Sequence, residues 1–137
     1  MKRTLLCLCL FLLHGVVHAQ NGHSGSNEKD SMGFAVSKSK VYYGTASYYA
    51  DKFNGRETAN GDIYDSQKMT AACNVLPLGT WIRVTNLVNN KSVVVRTNDR
   101  LHIRMKRLVD LSRVAAAKLG YIGRGLTKVR VEVLEKR

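Results

Sequence analysis

Three carboxylates stand at the ends of short apolar runs in this 137-residue chain: Asp62, Asp99 and Asp110. Asp62 opens Gly61-Asp62-Ile63-Tyr64-Asp65, Asp99 closes Val93-Val94-Val95-Arg96-Thr97-Asn98-Asp99, and Asp110 precedes Leu111-Ser112. The ends of strands are where a β fold presents side chains to a ligand without giving up core positions. A carboxyl group placed there can protonate a leaving oxygen and later take a proton back. Polysaccharide cleavage runs on such groups. Asp99, at the end of the valine run, is the first candidate for that acid and base. Asp110, directly before a helix start, serves equally well as a structural carboxylate.

Two other chemistries are open to the residue types. Cys73, His102 and Asn98 have the types of a nucleophile, a base and an orienting amide. Cys73, His102 and Asp99 have the types of a metal-ligand set. Neither group has the spacing of a known triad or ligand motif, so no metal and no cofactor is expected. Arg100, His102, Arg104, Lys106 and Arg107 make a dense basic stretch beside Asp99.

The elements that must position these groups follow from pattern. Residues Val41 to Ala50 are rich in Tyr and Thr and read as a strand. Asp51 to Asp65, with Gly55, Asn60 and Gly61, reads as a long loop. Short strands are expected at Met69 to Ala72, Thr80 to Asn86, Val93 to Thr97, Arg107 to Leu111 and Lys128 to Leu134. Asn89-Asn90 tolerates the positive φ of a tight hairpin turn. Ser112 caps a helix over Arg113 to Leu119, and Gly120 ends it. Closing six strands into a barrel would remove exposed edges, although pattern alone leaves the topology open.

The N-terminus reads as an export signal. Met1-Lys2-Arg3 is followed by the uncharged apolar run Leu5 to Leu13 and by Val17-His18-Ala19, so residues 1–19 are expected to be a signal peptide. The run is too short to span a membrane as a helix. Cys7 and Cys9 lie inside it rather than after a complete apolar segment, so lipid attachment is not expected. Residues 20–40, rich in Gly, Ser, Asn and charge, read as a flexible linker, and 41–137 as one small domain. Cys73 is then the lone thiol, and no internal disulfide can staple the domain. The formal charge is +12, from 22 basic and 10 acidic residues, and falls to about +10 without Lys2 and Arg3. Inside a cell such a charge would suggest nucleic acid. In an exported chain it fits an anionic cell-wall, lipid or polysaccharide surface, and no nucleic-acid partner is expected.

Several ordered segments together resemble a known family. Gly44-Thr45-Ala46-Ser47-Tyr48-Tyr49, Gly55-Arg56-Glu57-Thr58-Ala59-Asn60-Gly61, Thr70-Ala71-Ala72, Leu76-Pro77-Leu78-Gly79-Thr80, Arg83-Val84-Thr85-Asn86-Leu87, Asn98-Asp99-Arg100 and Asp110-Leu111-Ser112 are similar to the rare lipoprotein A (RlpA) domain. The resemblance covers nearly all of Val41 to Leu134. It implies an all-β, six-stranded double-psi β-barrel with one short helix, as in expansins. It also implies a bacterial envelope protein of the periplasm or cell surface that acts on peptidoglycan glycan strands. Active members are lytic transglycosylases, which cleave the MurNAc–GlcNAc bond without water and leave a 1,6-anhydro end.

The resemblance places the family's Glu, His and Asp positions on Asp62, Cys73 and Asp99. Two of the three thus depart in residue type. The expansin branch's hydroxyl and two Asp positions fall on Ser47, Asp99 and Asp110, all kept in type. On this reading Arg100, His102 and their basic neighbours form a rim that attracts the carboxylates of peptidoglycan, and Tyr49 and Tyr64 stack on sugar faces. The expected function is an exported lytic transglycosylase, acting as a monomer on glycan strands. The alternative is a non-catalytic, expansin-like glycan-binding module, favoured by Asp62 and Cys73. A third possibility, a basic protein that docks on an anionic protein partner, would call for a conspicuous apolar patch.

Overall fold

The structure, a computed structural model, describes residues 34–136, with side chains from 40 to 135. The expected signal peptide and the first part of the expected linker lie outside the described residues. Six strands and one α-helix follow in order: β1 (Phe34–Tyr48), β2 (Thr70–Cys73), β3 (Trp81–Asn86), β4 (Ser92–Asp99), β5 (Val109–Leu111), α1 (Arg113–Leu119) and β6 (Thr127–Lys136). All six expected strands and the expected helix are present, with boundaries shifted by a few residues.

The largest shift is at β1. It begins at Phe34, inside the stretch expected to be linker, because backbone pairing continues there: residues 34–36 pair antiparallel with 134–136 of β6. A ladder needs only backbone donors and acceptors, so the absence of an apolar period did not reveal it.

The strands close into a barrel in the order β1-β5-β2-β4-β3-β6, with β6 pairing back to β1. Two neighbours, β1/β5 and β2/β4, run parallel, and the other pairs antiparallel. Closure leaves the barrel strands with no free edge, the hazard that a small β domain without disulfides most needs to avoid. Alternation decides what fills the interior. Ile82, Val84, Val95, Val129 and Val131 are fully buried, and Val93 and Val133 nearly so. They occupy every second position of β3, β4 and β6, as the period-2 reading predicts.

Local chemistry sets the connections. Asn90, at φ 59°, turns the β3–β4 hairpin, and its N–H donates to the Asn86 carbonyl at 2.8 Å. Ser112 accepts from the Ala115 N–H at the start of α1. Gly120, at φ 77°, ends the helix and donates to the carbonyls of Ala116 and Ala117. Asn86 then ties three elements together. Its amide nitrogen donates to Leu119 O at 2.9 Å, and its oxygen accepts from Val88 N–H at 3.0 Å and Thr127 Oγ1 at 2.8 Å.

Candidate active site

The strand order brings together residues that lie far apart in sequence. Ser47 of β1 pairs with Asp110 of β5, Asp110 with Ala72 of β2, and Ala72 with Asp99 of β4. Residues in register on neighbouring strands share a face of the sheet. Two carboxylates therefore flank the small side chain of Ala72, which leaves an open floor between them. Above this floor lies a groove of about 540 Å³, lined among others by Tyr49, Tyr64, Ala72, Asp99 and Asp110.

Asp99 is held from three sides. Its Oδ2 accepts from the Tyr49 hydroxyl at 2.7 Å, and its Oδ1 accepts from the N–H groups of Ala59 at 2.9 Å and Arg100 at 2.8 Å. The Ala59 bond fastens the Arg56–Tyr64 hairpin over the barrel mouth. That hairpin is closed by Tyr64 N–H to Arg56 O and Thr58 N–H to Asp62 O, both 2.7 Å. Burial, and then the bond to Asp99 and its charge, push the Tyr49 phenol well above its ordinary range, so Tyr49 stays a donor at neutral pH. Asp110 is engaged as well. Arg107 donates to it through Nε at 2.9 Å and Nη2 at 3.0 Å, the forked geometry that suits guanidinium and carboxylate.

The tyrosines make a wall. The rings of Tyr49 and Tyr64 stack with centroids 4.3 Å apart, and Phe53 meets Tyr49 edge-on at 5.9 Å. Tyr64 is buried beneath Tyr49, so the groove meets chiefly Tyr49 and Phe53. Lys52 and Arg56 stand over the Phe53 ring, and with Arg100 and Arg107 they give the groove a cationic rim. The Arg100 guanidinium also donates to the backbone carbonyls of Cys73 and Leu76, which pins the β4 end to the loop after β2.

Six of the nine residues expected at the site thus line one groove: Tyr49, Tyr64, Asp99, Arg100, His102 and Asp110. Three do not. Ser47 belongs to the strand row but not to the groove lining. Asp62 lines a separate cavity of about 340 Å³ with Lys68, Thr70 and Asn98. Its carboxylate accepts from Asn60 and Asn98, and these bonds hold it below the usual carboxylate range. Cys73 is fully enclosed within the core, one position along β2 from Ala72, as strand alternation requires. Burial pushes its thiol up, against the backbone N–H groups of Val75 and Leu76, so at neutral pH it is uncharged. A thiolate nucleophile there, with the exposed His102 as its base, has no support in this arrangement. Among the described residues, no three His, Cys, Asp or Glu side chains gather as a metal-ligand set.

Enclosure of Cys73 makes a prediction. Cys73→His, which would place the family's residue type here, is expected to overpack the core. The expected cost is about 1–3 kcal/mol, read as a lower urea midpoint. An unchanged midpoint would show that this side chain has room to turn toward the groove.

Sequence reasoning did not single out Lys52, Phe53, Arg56, Glu57 or Met105, all of which line the groove. The first four sit in the segment read as a long loop. Length was the available signal, since long loops on small scaffolds are often functional.

The closed six-stranded arrangement is that of the double-psi β-barrel proteins. An expansin from Clavibacter michiganensis is similar in structure, with a TM-score of 0.58 and 20% identity over 72% of this chain and 52% of that one. The family model described as lytic transglycolase matches residues 42–131. The chain belongs to that family. Among curated relatives, the endolytic peptidoglycan transglycosylase RlpA of Haemophilus influenzae is 52% identical over 97 residues, 71% of this chain and 34% of that protein. RlpA of Pseudomonas aeruginosa is 53% identical over 92 residues, 67% of this chain and 27% of that one. The chain thus spans about a third of the length of the relatives it matches.

Proposed function

We propose that this chain is an exported lytic transglycosylase domain of the cell envelope. It acts as a monomer and cleaves MurNAc–GlcNAc bonds in peptidoglycan glycan strands, leaving 1,6-anhydro-MurNAc ends. The observation that carries this reading is the groove: two fixed carboxylates on its wall, the edge-on aromatic pair Tyr49 and Phe53, and a cationic rim, all supplied by one chain. The name borne by relatives at about half identity supports the same reaction.

Each part has a task. Tyr49 and Phe53 offer apolar ring surface to a sugar. Lys52 and Arg56 attract the lactyl carboxylates of the strand. Asp99 supplies a rigid negative charge where C1 of MurNAc becomes cationic as its glycosidic bond opens. A charge already oriented by Tyr49, Ala59 and Arg100 needs no reorganisation during the reaction, which is what makes such stabilisation effective. Asp110, clamped by Arg107, fixes the opposite wall.

A second reading, a glycan-binding module without catalysis, is favoured by one observation. The positions of the family's Glu and His hold Asp62 and Cys73, and neither lines the groove. Mass spectrometry of glycan strands incubated with the protein separates the two: the proposal expects 1,6-anhydro products, and binding without them favours the module. Retention on purified peptidoglycan is expected to weaken as salt rises from low to physiological strength, because exposed charges are screened beyond about 8–10 Å. Retention that ignores salt would exclude the cationic rim as the binding surface.

A further inference from the structure

We propose that the surface around the β3–β4 turn is a docking site for anionic lipid bilayers. Three segments meet there: the turn itself (87–91), the end of α1 (117–120) and the stretch that leads into β6 (123–128). Asn86 joins them, donating to Leu119 O and accepting from Val88 N–H and Thr127 Oγ1. Leu87 N–H donates to Lys128 O at 2.9 Å, and Asn89 Nδ2 donates to Leu119 O at 2.9 Å. None of these segments lines the groove. β4 starts beside the turn at Ser92 and ends at Asp99, a span of about 20 Å at about 3.3 Å per residue.

What these segments expose is apolar or cationic. Leu87 is 43%, Val88 59% and Leu126 49% exposed, well beyond the burial of the strand valines nearby. Lys91, Lys118 and Lys128 are exposed on the same segments, and Lys91 Nζ lies 3.8 Å from where a Cβ on Gly120 would stand. No acidic residue occurs between Asp65 and Asp99 or between Asp110 and Glu132, so nothing on these segments neutralises the lysines. Charge alone would attract any polyanion. Exposed aliphatic side chains point further, to a bilayer, where they leave water for the acyl boundary while lysines meet headgroup phosphates. A protein partner is a poorer match. Protein interfaces favour aromatic residues and are depleted in Lys, whereas these segments carry three lysines, one arginine and no aromatic residue.

Ile103 and Met105 are also exposed beside cations, but Met105 lines the groove, so their loop belongs to the groove's mouth. Docking through the β3–β4 turn instead leaves the groove open to glycan. A few aliphatic side chains and cations give reversible attachment and not insertion. The domain would then work on strands within reach of a lipid surface. The inference stands apart from the lytic reaction, since it uses no residue of the groove.

The test is co-sedimentation of the full chain with vesicles of phosphatidylglycerol and phosphatidylcholine in equal parts, beside vesicles of phosphatidylcholine alone. The native protein is expected to bind the mixed vesicles roughly tenfold more tightly or better. Lys91→Gln with Lys118→Gln is expected to weaken that binding roughly 25-fold, about fivefold for each charge lost at a lipid surface. Val88→Ser with Leu126→Ser keeps the charge and is expected to weaken it roughly tenfold, because the CH₂ and CH₃ groups that leave water are gone. Arg104→Gln with Lys106→Gln removes the same charge beside the groove and is expected to change vesicle binding less than about twofold, since those cations lie outside the docked surface. All three variants change exposed side chains, so their thermal midpoints should stay near native. A native protein that ignores the mixed vesicles overturns the proposal. So does a serine variant that binds them like the native protein, which would reduce the attraction to charge alone. A groove-side variant that loses as much as the lysine variant overturns it too, by moving the contact to the groove's mouth.

Discussion

Asp99→Asn is expected to cut the release of 1,6-anhydro products by roughly 100- to 1,000-fold, the usual worth of one preorganised electrostatic group. The fold is expected to stand. The asparagine oxygen can keep the bonds from Ala59 and Arg100, and the Tyr49 hydroxyl can turn to accept from the new NH₂ group. Only the charge is lost. Asp99→Ala removes all three bonds and frees the hairpin that Ala59 anchors. It is expected to cost about 2–4 kcal/mol in addition to the activity, since bonds to a charged acceptor are each worth about 1.5–3 kcal/mol and partly replaceable by water. Urea unfolding beside product analysis checks both. Asp99→Asn with native activity would remove Asp99 from the reaction. Equal stability losses in the two variants would show that charge, and not hydrogen-bond geometry, holds the hairpin.

A large effect on stability is also expected at Asn86, outside the groove lining. Its side chain is buried and makes three hydrogen bonds, one to the end of α1, one from the Val88 N–H and one from Thr127 at the start of β6. Asn86→Ala leaves the Thr127 hydroxyl without its acceptor and opens a small void. The Leu119 carbonyl keeps only its bond from Asn89. A cost of about 2–4 kcal/mol is expected, the sum of an unmet buried polar group and lost packing. Asn86→Asp is expected to be worse, because a buried negative charge would then face the Leu119 carbonyl. Thermal and urea unfolding read both. A loss below about 0.5 kcal/mol, the scale of an ordinary surface substitution, would show that water takes over the network.

Some of this was legible in the sequence because the physics is local. Alternation in Thr80 to Asn86, Val93 to Thr97 and Lys128 to Leu134 determined which valines turn inward, since a strand's side-chain period is two whatever it pairs with. Ser112, Gly120 and Asn90 marked the helix ends and the hairpin turn, because each satisfies a backbone need within a few residues. Asp99, Asp110, Tyr49, Tyr64, Arg100 and His102 stood out in the sequence as candidates, and the structure gathers them around one groove.

What the tertiary structure decided depends on pairing across the barrel. That β2 lies between β4 and β5 puts Ala72 between two aspartates, and no local pattern contains that order. The same strand's alternation sends Cys73 into the core and away from the groove, one residue from a position that faces it. Tyr49 looked like a sugar platform in the sequence. In the fold it is also the hydroxyl that holds Asp99, a contact across 50 residues. The hairpin from Arg56 to Tyr64 settles the rest. Its sequence singled out Asp62, but in the fold that side chain lines a different cavity, with its carboxylate held by Asn60 and Asn98. Periodicity and caps are read from near neighbours, and so the sequence alone determines them. Which carboxylate meets the substrate is set by long-range contacts, which exist only once the barrel has closed.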